Sequence, residues 1–128
     1  MQVKQVKTLR VVLIKPSKYD DEGYVIRFWK GVLPSNTLSV LRGLTDDVRA
    51  RGVFRDIEIQ VDTFDETAEK VPVQKIIRWS RKPATKLVVC LVGVQTNQFP
   101  RALDLGRQFR AHGLDVLMGG FHTSGTIN

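Results

Sequence analysis

Apolar residues along the chain fall into two rhythms, and the rhythm changes at turn residues. Leu9-Arg10-Val11-Val12-Leu13-Ile14 is a compact, β-branched run ending at Lys15-Pro16-Ser17, as expected of a strand buried on both faces of a parallel sheet. Leu38, Leu41, Leu44 and Val48 then recur at helical spacing, with Ser35 or Asn36 as cap and Arg51-Gly52 as stop. Ile57, Ile59 and Val61 alternate with Glu58, Gln60 and Asp62, the period-two pattern of a half-exposed edge strand. Thr63 to Lys70 reads as an acidic loop. Pro72 suits a first helical turn, and Val73, Ile76, Ile77 and Ser80 give that helix one face before Lys82-Pro83 ends it. Leu87-Val88-Val89-Cys90-Leu91-Val92 is the most apolar run and predicts a central strand. Phe99, Ala102, Leu103, Gly106 and Phe109 trace a further helix, stopped at His112-Gly113, and Val116-Leu117-Met118 is a last short strand.

The order β-α-β-α-β-α-β implies a parallel α/β sheet with helices on both faces. The first and third strands are apolar on both sides and belong in the centre; the second alternates and belongs at an edge. The doubly wound, flavodoxin-like (Rossmann-like) order 2-1-3-4 satisfies all three. It leaves Val116-Leu117-Met118, apolar on both faces, at the other edge. That conflict predicts a missing fifth strand, so residues 1–128 are expected to form the N-terminal part of a longer protein. The stretch from Lys15 to Ser35 reads either as a functional loop or as a small element through Val25–Trp29 with its own packing.

Composition narrows the classes. At 128 residues with 42% hydrophobic content, the chain supports one domain and is not of disordered composition. A single cysteine can form neither an internal disulfide nor a thiolate cage for zinc or an iron–sulfur cluster. There is no apolar run of membrane-spanning length, and Met1 to Arg10 is polar, so a cytoplasmic location is expected. The net charge of +7 comes mostly from residues 1–55, with 11 basic and 5 acidic groups. They are scattered, without the dense aromatic-interleaved stripe of a nucleic-acid binder.

In an open α/β sheet ligands sit beyond the carboxyl ends of the strands, at the point where strand order reverses. That selects the loops after the first, third and fourth strands: Pro16 and Ser17; Gly93, Gln95, Thr96 and Asn97; and Gly119, Gly120, His122 and Thr123. They offer backbone N–H groups and small neutral hydrogen bonders, with no acid or base in the last two loops beyond His122. They suit holding an amide- or phosphate-decorated ligand better than breaking bonds. A dinucleotide G-x-G-x-x-G fingerprint, a Walker loop and a receiver-type aspartate after the third strand are all absent. His112 reads as a helix-end residue and Cys90 as a buried small hydrophobe.

Several of these segments occur together in one known family. A Val11-Val12-Leu13-Ile14-Lys15-Pro16 strand end precedes Pro34-Ser35-Asn36-Thr37-Leu38. Val92-Gly93-Val94-Gln95-Thr96 follows the third strand, and Asp115-Val116-Leu117-Met118-Gly119-Gly120-Phe121-His122-Thr123 carries a Gly-Gly-x-His-x-Thr step. In these features the chain resembles the N-terminal cobalamin (vitamin B12)-binding domain of B12-dependent radical S-adenosylmethionine enzymes. The resemblance implies a corrinoid cofactor and no catalysis by this chain alone. It also implies that the iron–sulfur cluster and S-adenosylmethionine belong to an absent downstream radical domain, the expected partner. The D-x-H-x-x-G motif of other cobalamin carriers is missing after the first strand, so neither His112 nor His122 is expected to ligate cobalt. The alternative from a different class is a basic α/β module binding a nucleotide or polyanion.

Overall fold

The computed structural model describes residues 5–27, 36–52 and 56–120. Eight segments of regular structure follow one another: β1 (Thr8–Lys15), α1 (Asn36–Ala50), β2 (Glu58–Asp65), α2 (Val73–Ser80), β3 (Thr85–Leu91), a single 3-10 turn (Thr96–Gln98), α3 (Phe99–Ala111) and β4 (Asp115–Met118). The sheet is wholly parallel, in the order β2-β1-β3-β4, so the doubly wound arrangement expected from strand character is the one observed. The two most apolar strands are central because only there are both edges paired, with one face fully covered by helices.

Register places side chains in rows across the sheet. Phe64, Ile14, Leu91 and Met118 lie in one row, and Asp62, Val12, Val89 and Val116 in the next. This face packs against α2 and α3, which contribute Ile76, Ile77, Ala102, Leu105 and Phe109, and it forms the main core. The opposite face carries the row Thr63, Leu13, Cys90 and Leu117. Among the described residues only α1 lies over it, through Leu38 and Leu41, and it sits on the β1–β2 half. Exposure therefore climbs along that row, from Leu13 at 4% through half-buried Cys90 to Leu117 at 62%.

Three sequence expectations need correction. Thr63 to Lys70 is not all loop: β2 runs on to Asp65, and Glu66, directly after it, is fully buried. The helical stripe of α1 is only half used, because Leu38 is buried while Leu44 is largely exposed. A gap of about 220 Å³ between α1 and the Leu9, Val11 and Ile59 side chains marks the loose fit. Cys90 is half-buried, since its strand is covered completely on the α3 side alone. Among the described residues, no helix is long and apolar enough to cross a membrane.

Candidate functional site

The uncovered half of the α1 face is a groove of about 720 Å³. Its position follows from the helix count: α1 shields β1 and β2, and no described helix lies over the same face of β3 and β4. Val11 and Leu13 of β1, Leu41 and Thr45 of α1, and Cys90 of β3 form the inner wall. Leu117, Met118, Gly93, Gln95, Gly119 and Gly120 line the groove as it reaches the carboxyl end of the sheet. Among the described residues, no Lys, Arg, Asp, Glu or His lines it. Burial in this apolar wall pushes the Cys90 thiol pKa above its ordinary value.

The rim is built by the close approach of two loops. Val94 donates its N–H to the Gly119 carbonyl at 3.1 Å, and Gly119 donates to Leu91 at 2.9 Å. Gly120 follows with φ of +154°, and a Cβ there would lie 2.1 Å from the Val94 carbonyl oxygen. Only glycine lets the chain pass, so packing of the loops themselves accounts for Gly120. A Cβ on Gly119 would meet nothing within 4 Å. Gly119 is thus the glycine whose surroundings leave room for a ligand.

Behind the rim, Gln98 ties two loops together. Its side-chain carbonyl accepts the Gln95 N–H at 3.1 Å and its amide donates to the Pro16 carbonyl at 3.2 Å. This scaffolding role was not anticipated from the sequence. Thr96 and Asn97 are exposed on the 3-10 turn beside the groove. His122 and Thr123 lie outside the described residues.

Pro16 and Ser17 sit elsewhere. Both are buried, and the polar groups of Ser17 are engaged internally: its N–H donates to Glu66 Oε1 at 3.1 Å and its hydroxyl to the Ile26 carbonyl at 2.5 Å. Glu66, in turn, receives Arg101 in a bidentate pair, Nε to Oε1 at 2.9 Å and Nη2 to Oε2 at 2.7 Å. Arg101 Nη1 also donates to the Tyr19 hydroxyl, which donates to Asp104 Oδ2. Burial, then the Asp104 hydrogen bond, raises the Tyr19 phenol pKa above its usual value. The segment after β1 is a hairpin-like excursion, Tyr19 bridging Val25, pinned to α3 by this network. Residues 20–24 of this stretch are exposed and Val25 makes only that isolated bridge, while Phe28 and Trp29, which the reading of a small packed element needs, lie outside the described residues. No periodicity could have revealed the Glu66–Arg101 pair, because its partners are 35 residues apart.

Comparison of the chain with protein-family models, curated proteins and solved structures finds no match. Among the described residues, no group of three or more His, Cys, Asp and Glu side chains could hold a metal ion.

Proposed function

We propose that this chain is a cobalamin-binding domain serving a radical S-adenosylmethionine enzyme. The observation that carries this reading is the groove, uncharged among the described residues, that runs over β1 and β3 and reaches the carboxyl ends of β3 and β4. A nucleotide's di- or triphosphate would meet no cation among the described residues of that lining, at a desolvation cost they do not offset. Cobalamin carries far less charge for its size: a flat ring edged with neutral amides, and a benzimidazole tail with a single phosphodiester that can stay at the open mouth. The wall of Val11, Leu13, Leu41 and Cys90 suits the tail, and Gly93, Gln95 and Gly119 at the mouth suit the amides.

In this reading the chain's own residues bind and orient. Gln98 holds the Gln95 loop against Pro16, and the Val94–Gly119 bond fixes the mouth, so the site is formed before the ligand arrives. Cobalt would supply the organometallic chemistry when bound, and the substrate would meet it on the face turned toward a downstream domain. His112, exposed at the end of α3, belongs to the helix on the other face of the sheet and has no role at the groove.

Titration with hydroxocobalamin, followed by visible absorbance and by retention of colour on gel filtration, tests the proposal. Stoichiometric retention is expected, weakened by Gly119→Val and unchanged by His112→Ala. A folded protein that retains no cobalamin would refute it.

A further inference from the structure

A second concavity lies on the other side of the sheet, between α2, α3 and the end of the β1 excursion. It encloses about 460 Å³ and is lined by Arg27, Lys70, Lys75, Arg78 and Arg101, with no acidic side chain in its wall. Arg101 is already neutralised by the buried Glu66. Among the described residues, no carboxylate comes within ion-pair distance of the other four, whereas seven other ion pairs do form. The cleft therefore concentrates four cations without a carboxylate partner, of which Lys75 also lies over the Trp79 ring, its Nζ 5.4 Å from the centroid. The scattered charge of the sequence gives no hint of this, because Arg27 is far along the chain from Lys70, Lys75 and Arg78 and only folding brings it to them.

Local helix chemistry adds to the imbalance. Lys75 and Arg78 are spaced i,i+3 on α2, where like charges repel. The first turn of α2 has no acidic residue, and its cap residue, Pro72, makes no side-chain hydrogen bond. The helix start, with its partial positive charge, thus opens on the same cleft as the four side chains. Self-repulsion of this kind is relieved by an anion, and guanidinium and ammonium groups together favour phosphate oxygens.

We propose that this cleft binds a diphosphate-bearing small molecule. One orthophosphate would leave most of the cations without a counter-charge and most of the volume empty, whereas two linked phosphates bring the charge and the length to engage several of Arg27, Lys70, Lys75 and Arg78 at once. The cleft lies across the sheet from the uncharged groove, so this site is independent of cobalamin binding, and hydroxocobalamin retention is read separately in every variant.

The test is calorimetric titration of the full chain with inorganic pyrophosphate and with orthophosphate at low ionic strength. Pyrophosphate should bind at least about tenfold more tightly, and its affinity should fall steeply with added salt. Lys75→Gln with Arg78→Gln should weaken it by about tenfold or more, while Lys82→Gln with Arg110→Gln, outside the cleft, should leave it unchanged. In the wild-type protein the backbone amide resonances of Gln74 and Lys75 should shift on adding pyrophosphate, a readout that holds even if a variant folds poorly. Equal affinity for the two anions, or equal loss in both double variants, would overturn the proposal. So would single-stranded oligonucleotide binding that is tighter than pyrophosphate and lost in the cleft variant, which would make this face a nucleic-acid surface.

Discussion

Replacing Arg101 by Met should be the most damaging single polar change in the molecule. Glu66 is fully buried, and Arg101 supplies two of the three hydrogen bonds its carboxylate receives, the third coming from the Ser17 N–H. Arg101→Met removes the cation and keeps most of the side-chain volume, so the loss is electrostatic rather than a cavity. A buried carboxylate stripped of its partner costs about 3–5 kcal/mol. A domain of this kind has on the order of 5–15 kcal/mol in total. The change should lower the melting temperature by roughly 9–25 °C, taking roughly 3–5 °C per kcal/mol for a chain of this length. Glu66→Gln alone should cost less, about 1–3 kcal/mol, because its amide oxygen still accepts from Ser17 and the Arg101 head can turn toward solvent. The double variant should be more stable than Arg101→Met, since it leaves no unpaired charge and keeps the Ser17 bond. Urea denaturation of the four proteins gives the coupling energy directly. Additive losses, or an Arg101→Met loss below about 1 kcal/mol, would show that the pair does not hold the β1 excursion to α3.

The remaining predictions concern the groove and the sheet edge. Gly120→Ala should destabilise by about 1–3 kcal/mol or more through the clash with the Val94 backbone, whereas Gly119→Ala should melt within about 1 kcal/mol of wild type; similar melting of the two would contradict the rim geometry. The raised Cys90 pKa means that the folded state keeps its proton where the unfolded chain has lost it. Stability should therefore decline as pH rises above the ordinary thiol range near about 8.5, and Cys90→Ala should show a shallower decline in denaturation between roughly pH 8 and 10. Leu117→Lys on the exposed edge of β4 should suppress self-association in sedimentation without lowering the melting temperature, because its side chain is 62% exposed.

Much of the architecture is legible in the sequence alone. Continuous apolar runs at 9–14 and 87–92 and the alternation at 57–62 are local signals, and each reports how many faces of a strand are covered. Those signals alone placed β1 and β3 inside, β2 at an edge, and the helices between them. The rim glycines and the Gln95 loop were also recognisable, since small residues after a strand mark where backbone approaches something closely. Tertiary structure decided what they approach: for Gly120 it is Val94, a fact no one-dimensional pattern encodes.

The same limit explains the larger surprises. A strand run shows that both faces are apolar, but not that α1 would settle over β1 and β2 and leave Cys90 and Leu117 as the floor of a groove. Helix placement depends on the shape of the whole face, which is a sum over three strands. Ser17 looked like a loop residue open to a ligand, and burial against Glu66 made it part of a structural clamp. Charge behaved in the same way. Composition fixed the excess of cations, while pairing is a matter of distance: folding joined Arg101 to Glu66 and Arg10 to Asp62, and left Arg27, Lys70, Lys75 and Arg78 around one cleft with no carboxylate partner among the described residues. Local sequence determines which faces a segment can present; only the assembled chain determines which charges and surfaces remain uncompensated.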